Sequence, residues 1–126
     1  MKIAVQLFKA LADETRLKMV VLILKHGELC VCDFELGMGI SQSKSSRHLR
    51  YLQMAGLLED KREATWVYYR INSKPSVLQK AALKAVECLF ENAQIKDADE
   101  QLKKWLKRKN CGTTRQQLIN EQERKR

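Results

Sequence analysis

A mainly α-helical fold with one small β-hairpin is predicted for this chain of 126 residues, on three observations. Apolar residues recur at three- and four-residue steps through most of the sequence, the helical period. Two short helical stretches are joined by a turn containing Gly37 and Gly39, the pattern of a helix-turn-helix. Directly after them comes Trp66-Val67-Tyr68-Tyr69-Arg70-Ile71, an aromatic and β-branched run that favours a strand. A hairpin in that place is a wing, so the predicted class is a winged helix-turn-helix. So small a domain, with an extended surface, profits from a partner chain, and a dimer is expected.

The elements follow in order. Ile3, Leu7, Ala10 and Leu11 give residues 2–11 an amphipathic helical pattern. Asp13 is placed to cap the next helix, with Glu14 favourable against the helix dipole. Leu17, Val20, Val21 and Leu24 supply its apolar stripe, and Lys25, His26 and Gly27 end it. Residues 30–38 allow two turns of helix at most. Ser41 caps a further helix running to about Ala55, which Gly56 closes. Residues 57–62 and 65–71 pair as an antiparallel hairpin with Glu63-Ala64 between them. Pro75 suits the first turn of a long helix with Leu78, Ala81, Ala82, Ala85 and Leu89 on one face. Leu102, Trp105 and Leu106 continue it after a break in the polar stretch 96–100. The tail from residue 107 is mostly charged or amide and is expected to be mobile. Two units result: residues 1–95, the DNA-binding and dimerisation domain, and residues 96–126, a charged extension that is partly mobile.

Composition narrows the function. The formal net charge is +9 and the pI about 9.6, which implies a polyanionic partner, nucleic acid or an anionic membrane surface. The longest aliphatic run, Met19-Val20-Val21-Leu22-Ile23-Leu24, is far short of a membrane span. Lys9, Asp13 and Glu14 interrupt any secretory-signal core, so a cytoplasmic chain with reduced thiols is expected. In that compartment its 4 cysteines read as metal ligands, redox groups or small buried residues. No Ser/His/Asp set, phosphate-binding glycine loop or acid/base carboxylate pair stands out, and an enzyme is not expected.

At ~100° per residue, Ser45, Leu49 and Leu52 fall on the inward side of the helix after Ser41, and Ser43, Arg47, Arg50 and Met54 on the outward side. The outward face and its start hold groups for base edges and phosphates: Gln42, Ser43, Lys44, Ser46, Arg47 and Arg50. Lys61 and Arg62 near the hairpin tip are candidate phosphate contacts, and His48 toward the inward flank reads either as a packing or hydrogen-bonding residue or as a further phosphate contact.

Upstream lies Glu28-Leu29-Cys30-Val31-Cys32-Asp33. Residues two apart on a regular helix point ~200° away from each other. Cys30 and Cys32 can therefore share an ion only where the backbone is, or becomes, non-helical. Cys30 is expected near a helix start, where the dipole favours a thiolate. Ion binding would then distort the short helix and move the reading helix packed on it.

Together with Leu11-Ala12-Asp13-Glu14-Thr15-Arg16-Leu17 and the stretch from Ser41 to Leu49, this element resembles the ArsR/SmtB family of metal-responsive winged-helix repressors, over residues 3–95. The resemblance implies a homodimer joined by first and last helices, operator DNA as partner, and repression relieved by ligand. It also implies arsenite or antimonite as inducer at Cys30 and Cys32, with no organic cofactor. The arsenite pattern often has a third cysteine where this chain has Glu35, a hard ligand and a poor substitute. Either an exogenous thiol or water completes the site, or a distant cysteine does, Cys111 or Cys88, with Cys88 read first as a buried packing residue. No histidine follows His48, so the family's zinc site on the last helix is not expected. The alternatives are a cadmium, lead or zinc sensor of the same family and a thiol redox switch that binds DNA.

Overall fold

A computed structural model describes residues 1–109. Its elements are α1 (Lys2–Leu11), α2 (Glu14–His26), β1 (Glu28–Cys30), α3 (Val31–Met38), α4 (Gln42–Met54), β2 (Leu58–Glu63), β3 (Trp66–Ile71), α5 (Val77–Glu87) and α6 (Ala93–Lys109). The helix signals act where the sequence puts them. The Asp13 carboxylate accepts the Arg16 amide at 2.9 Å and starts α2. Gly27, at φ 89°, ends it in a conformation that a side chain would resist. Ser41 accepts the Lys44 amide and starts α4. Met19, Val20, Val21, Leu22 and Ile23 of α2 are fully buried and form the centre of the core, joined by Leu7, Phe34, Leu49, Leu52 and Leu57.

The wing is an antiparallel β2–β3 hairpin running from Leu58↔Ile71 to Glu63↔Trp66. Its turn is Ala64-Thr65, one residue later than expected, with Ala64 at φ 55°. A third strand was not legible in the sequence. β1 pairs with β3 through Glu28↔Arg70, Leu29↔Tyr69 and Cys30↔Tyr68, and the sheet order is β1-β3-β2. Three residues carry too little alternation to announce a strand. Their backbone groups are satisfied by β3, from about 40 residues downstream.

The C-terminal part corrects several expectations. α5 starts at Val77, after a Ser76 cap with Gln79 reaching back to the Ser76 amide, so Pro75 precedes the helix. Its buried face is Ala82, Leu83 and Val86; Leu78, Ala81 and Ala85 of the expected stripe are exposed. The break falls at residues 88–92, not in 96–100, and α6 then runs unbroken through that polar stretch. Ile95, Leu102 and Trp105 of α6 are buried against the core, so residues 96–109 are packed into the same folded body. Of the tail expected to be mobile from residue 107, residues 107–109 are instead the end of α6, with Lys109 buried, and residues 110–126 lie outside the described residues.

Two polar hubs hold the helices. Asp99 of α6 accepts hydrogen bonds from His26 Nε2 at 2.6 Å and Lys25 Nζ at 3.3 Å at the end of α2, and pairs with Lys103 at 3.3 Å. Burial pushes its carboxyl up, but the His26, Lys103 and Lys25 contacts outweigh this and hold it below the usual value. Arg16 of α2 donates to the carbonyls of Ala10 (2.8 Å) and Lys9 (3.1 Å), contacts His48 Nδ1 at 3.4 Å and lies 4.2 Å from the Tyr51 ring centroid. One guanidinium thus joins the end of α1 to α4. Burial, with Arg16, Arg47 and Lys44 adding to it, depresses the His48 pKa against the opposing pull of Asp13.

Two predictions follow from these contacts. A Cβ at Gly37 would lie 2.9 Å from Leu102 Cδ1 and 3.3 Å from Trp105 Cβ. Overpacking costs about 1–3 kcal/mol against the ~0.5–1 kcal/mol that alanine gains in a helix, so Gly37→Ala is expected to lower the denaturant midpoint. An increase would mean that α6 yields freely. For His48 the folded pKa lies below the unfolded one, so the contribution to stability is present above about pH 6.5 and is lost as pH falls through the folded value. His48→Gln should flatten the stability-against-pH curve in that window, read by thermal melts from pH 7 to 5.

Candidate metal centre and nucleic-acid interface

Cys30 is the last residue of β1 and the N-cap of α3, with extended backbone at φ −98° and ψ 168°. Cys32 is in the first turn of α3. Of the two backbone conditions for a shared ion, the first therefore holds: the chain at Cys30 is already non-helical, and α3 need not unwind. The two Cα atoms are 5.4 Å apart and the sulfurs are joined as a disulfide. Both cysteines are almost fully buried in the protomer yet line a cleft of about 590 Å³.

Asp33 completes the only group of three or more candidate ligands among the described residues, with ligand atoms of Cys30, Cys32 and Asp33 within 4.8 Å of one another. Its carboxylate is already engaged. Oδ2 accepts the Cys30 amide at 2.9 Å; Oδ1 accepts Trp105 Nε1 at 2.9 Å and Lys109 Nζ at 2.6 Å. A hard carboxylate whose two oxygens already accept three donors is a poor ligand for a thiophilic ion, so two sulfurs are what this cluster offers. Glu35 also lines the cleft. Cys88, read as buried, is exposed at the end of α5, which packs on α2 rather than beside the pair. Cys111 lies outside the described residues.

α4 turns Ser45, Leu49 and Leu52 fully inward, as its pattern requires. Gln42, Ser43, Lys44, Arg47 and Arg50 are exposed, and Ser46 is half-buried. The cleft brings part of this set together with the thiol site: Gln42, Ser46 and Arg50 of α4 and Arg62 of the wing line it along with Cys30 and Cys32. Ser43, Lys44 and Arg47 lie outside it. Lys61 pairs with Glu63 at 2.9 Å within the wing, which raises its pKa. His48 is taken up by Arg16 rather than presented outward.

Sequence reasoning missed Trp105 and Lys109 as part of the site. Their distance along the chain, 72 and 76 residues from Asp33, leaves no local pattern to find. The one usable signal was an apolar indole amid lysines, since a tryptophan at helical spacing from Leu102 marks a buried stripe.

No helix among the described residues is long and apolar enough to cross a membrane. The model of the "Bacterial regulatory protein, arsR family" matches residues 13–60, from the α2 cap through the reading helix into the wing. The chain is 48% identical over 79 residues to an arsenic resistance transcriptional regulator of Pseudomonas putida, covering 63% of this chain and 62% of that protein. It is 46% identical over 91 residues to the arsenical resistance operon repressor of Escherichia coli, covering 71% of this chain and 78% of that one. Among solved structures, the AntR antimony-specific transcriptional repressor superposes with a TM-score of 0.55 at 31% identity, over 71% of this chain and 78% of the other. With its winged helix-turn-helix matched in sequence and in shape, the chain belongs to the arsR family of bacterial regulatory proteins, which are DNA-binding transcriptional regulators and not enzymes.

Proposed function

We propose that the protein is a homodimeric cytoplasmic repressor that holds operator DNA and releases it when arsenite or antimonite binds Cys30 and Cys32. The observation that carries this is the extended backbone at Cys30 beside helical Cys32, which lets both sulfurs serve one ion on the wall of a cleft shared with α4 and the wing. The arsenic and antimony named for its relatives support the choice of ion. The +9 charge and the exposed basic face of α4 support DNA as the partner. Gln42, Ser43, Lys44, Ser46, Arg47 and Arg50 would contact bases and phosphates, and Lys61 and Arg62 the flanking backbone. Exposed Ile3, Val5 and Phe8 on α1 and Leu78 on α5 supply the apolar surface that a second copy would cover. Ile95, Leu102 and Trp105 of α6 are buried inside the protomer, which supports α1 and α5 rather than α6 as the proposed dimer surface.

The chemistry is ligand exchange. Trivalent arsenic carrying three hydroxyls gives up one to each attacking thiol, the thiol proton leaving with it as water. Two cysteines displace two hydroxyls, and a third thiol displaces the last. Cys111 is the third protein thiol in this proposal. It follows Lys109, the partner of Asp33, by two residues in the sequence. Lys107, Arg108, Lys109 and Arg115 also favour its thiolate. An ion held by Cys30 and Cys32 would shift α3 as a unit, and with it α4, which packs on α3 and shares the cleft.

A second reading, a redox switch, draws on the disulfide pairing: an oxidant takes two electrons, two protons leave, and the cysteines bond. Titration under strictly reducing conditions separates the two readings, because the switch would not respond to ion there. A panel including cadmium, lead and zinc tests the ion.

Two outcomes are expected with DNA selected from a random pool by the reduced protein. Cys30→Ser and Cys32→Ser should retain DNA affinity and lose release by arsenite; Cys111→Ser should lower the arsenic–sulfur coordination number by one. Release at the parent's arsenite concentration by either of the first two would remove the site. Arg47→Ala or Arg50→Ala should weaken binding by ~1–3 kcal/mol at a base contact, or lower the salt slope by about one at a phosphate. Parent-like affinity across salt in both would mean a merely solvated face.

A further inference from the structure

We infer that Lys109 and Trp105 of α6 are positioning residues for the two-sulfur site, acting through Asp33 on the backbone of Cys30. The inference rests on the proposed thiolate site. The convergence of Cys30 and Cys32 depends on Cys30 staying extended, because one more residue of helix at that point would turn the sulfurs ~200° apart. What holds Cys30 there is β1 pairing on one side and its amide on the other, which donates to Asp33 Oδ2 at 2.9 Å.

Asp33 can accept that bond in one orientation, and α6 sets the orientation. Its side chain is fully buried, and Trp105 Nε1 (2.9 Å) and Lys109 Nζ (2.6 Å) both donate to Oδ1, leaving Oδ2 aimed at Cys30. Lys109 is itself only 7% exposed, so the ion pair is screened little by water. The helix is braced twice more. Gly37 of α3 admits Leu102 and Trp105 at near contact, and Asp99 ties α6 to the end of α2. An element read from sequence as part of a charged, partly mobile extension thus fixes the pocket that would take the ion. The relation is reciprocal: an ion that needs Cys30 extended also favours docked α6.

The test uses the full-length reduced protein and arsenite. Thiolate–arsenic absorbance gives affinity, and hydrogen exchange gives protection of the Cys30 amide. Lys109→Gln and Trp105→Phe are expected to weaken arsenite binding about tenfold or more, the scale of a lost hydrogen bond to a charged group. They should also speed Cys30 exchange, and Lys109→Arg should restore both. Melting curves identify variants that are folded at the assay temperature, and Trp105→Phe, which keeps an aromatic ring there while removing the N–H donor, serves if Lys109→Gln does not fold. Lowered melting temperature with parent-like arsenite affinity and Cys30 protection would make the clasp purely structural and overturn the inference. Absence of thiolate–arsenic absorbance in the parent would instead remove the thiolate site, while the exchange measurement still reports whether α6 holds Cys30.

Discussion

The buried carboxylate of Asp33 is the interaction on which this arrangement depends. It lies at the junction of three segments: the end of β1, the first turn of α3 and the last turn of α6. An aspartate this deep is tolerable only with its lone pairs satisfied and its charge paired. Here the Cys30 amide, the Trp105 indole and the Lys109 ammonium do both. Removing a partner from such a pair costs far more than the pair contributes net, because an uncompensated charge is left behind. The contact therefore specifies one docking of α6 on α3 more than it adds raw stability. It also explains why a helix made largely of lysine, glutamine and aspartate stays on the protein.

The second consequence of the fold is spatial economy around the cleft. Cys30 and Cys32 on one wall and Gln42, Ser46, Arg50 and Arg62 on the others share about 590 Å³. Groups proposed to read DNA and groups proposed to take an ion are thus a few side chains apart rather than at opposite ends of a long path. Coupling between them needs no extended relay, only a shift of the short helix α3 that lies between sulfur and α4. The Arg16 hub constrains the other side of α4, tying it to the end of α1, where the exposed apolar residues proposed to meet a second copy begin.

Much of this was determined by sequence alone, because the deciding physics was local. The Asp13 and Ser41 caps, the Gly27 stop and the inward Ser45–Leu49–Leu52 stripe of α4 depend on residues within a turn or two of each other. So did the requirement that Cys30 and Cys32 sit on a non-helical backbone, which is pure helix geometry. What only the tertiary structure decided were pairings across long stretches of chain. β1 exists because β3 satisfies its backbone, not because three residues have strand character. The buried face of α5 is Ala82, Leu83 and Val86 because α2 lies on that side, while an equally apolar stripe faces outward. α6 joins the core because Trp105 and Lys109 meet a carboxylate more than 70 residues away. Periodicity states that a helix has an apolar face and cannot state what will cover it; a buried charge's partner is fixed by position in space, which no local window of sequence contains.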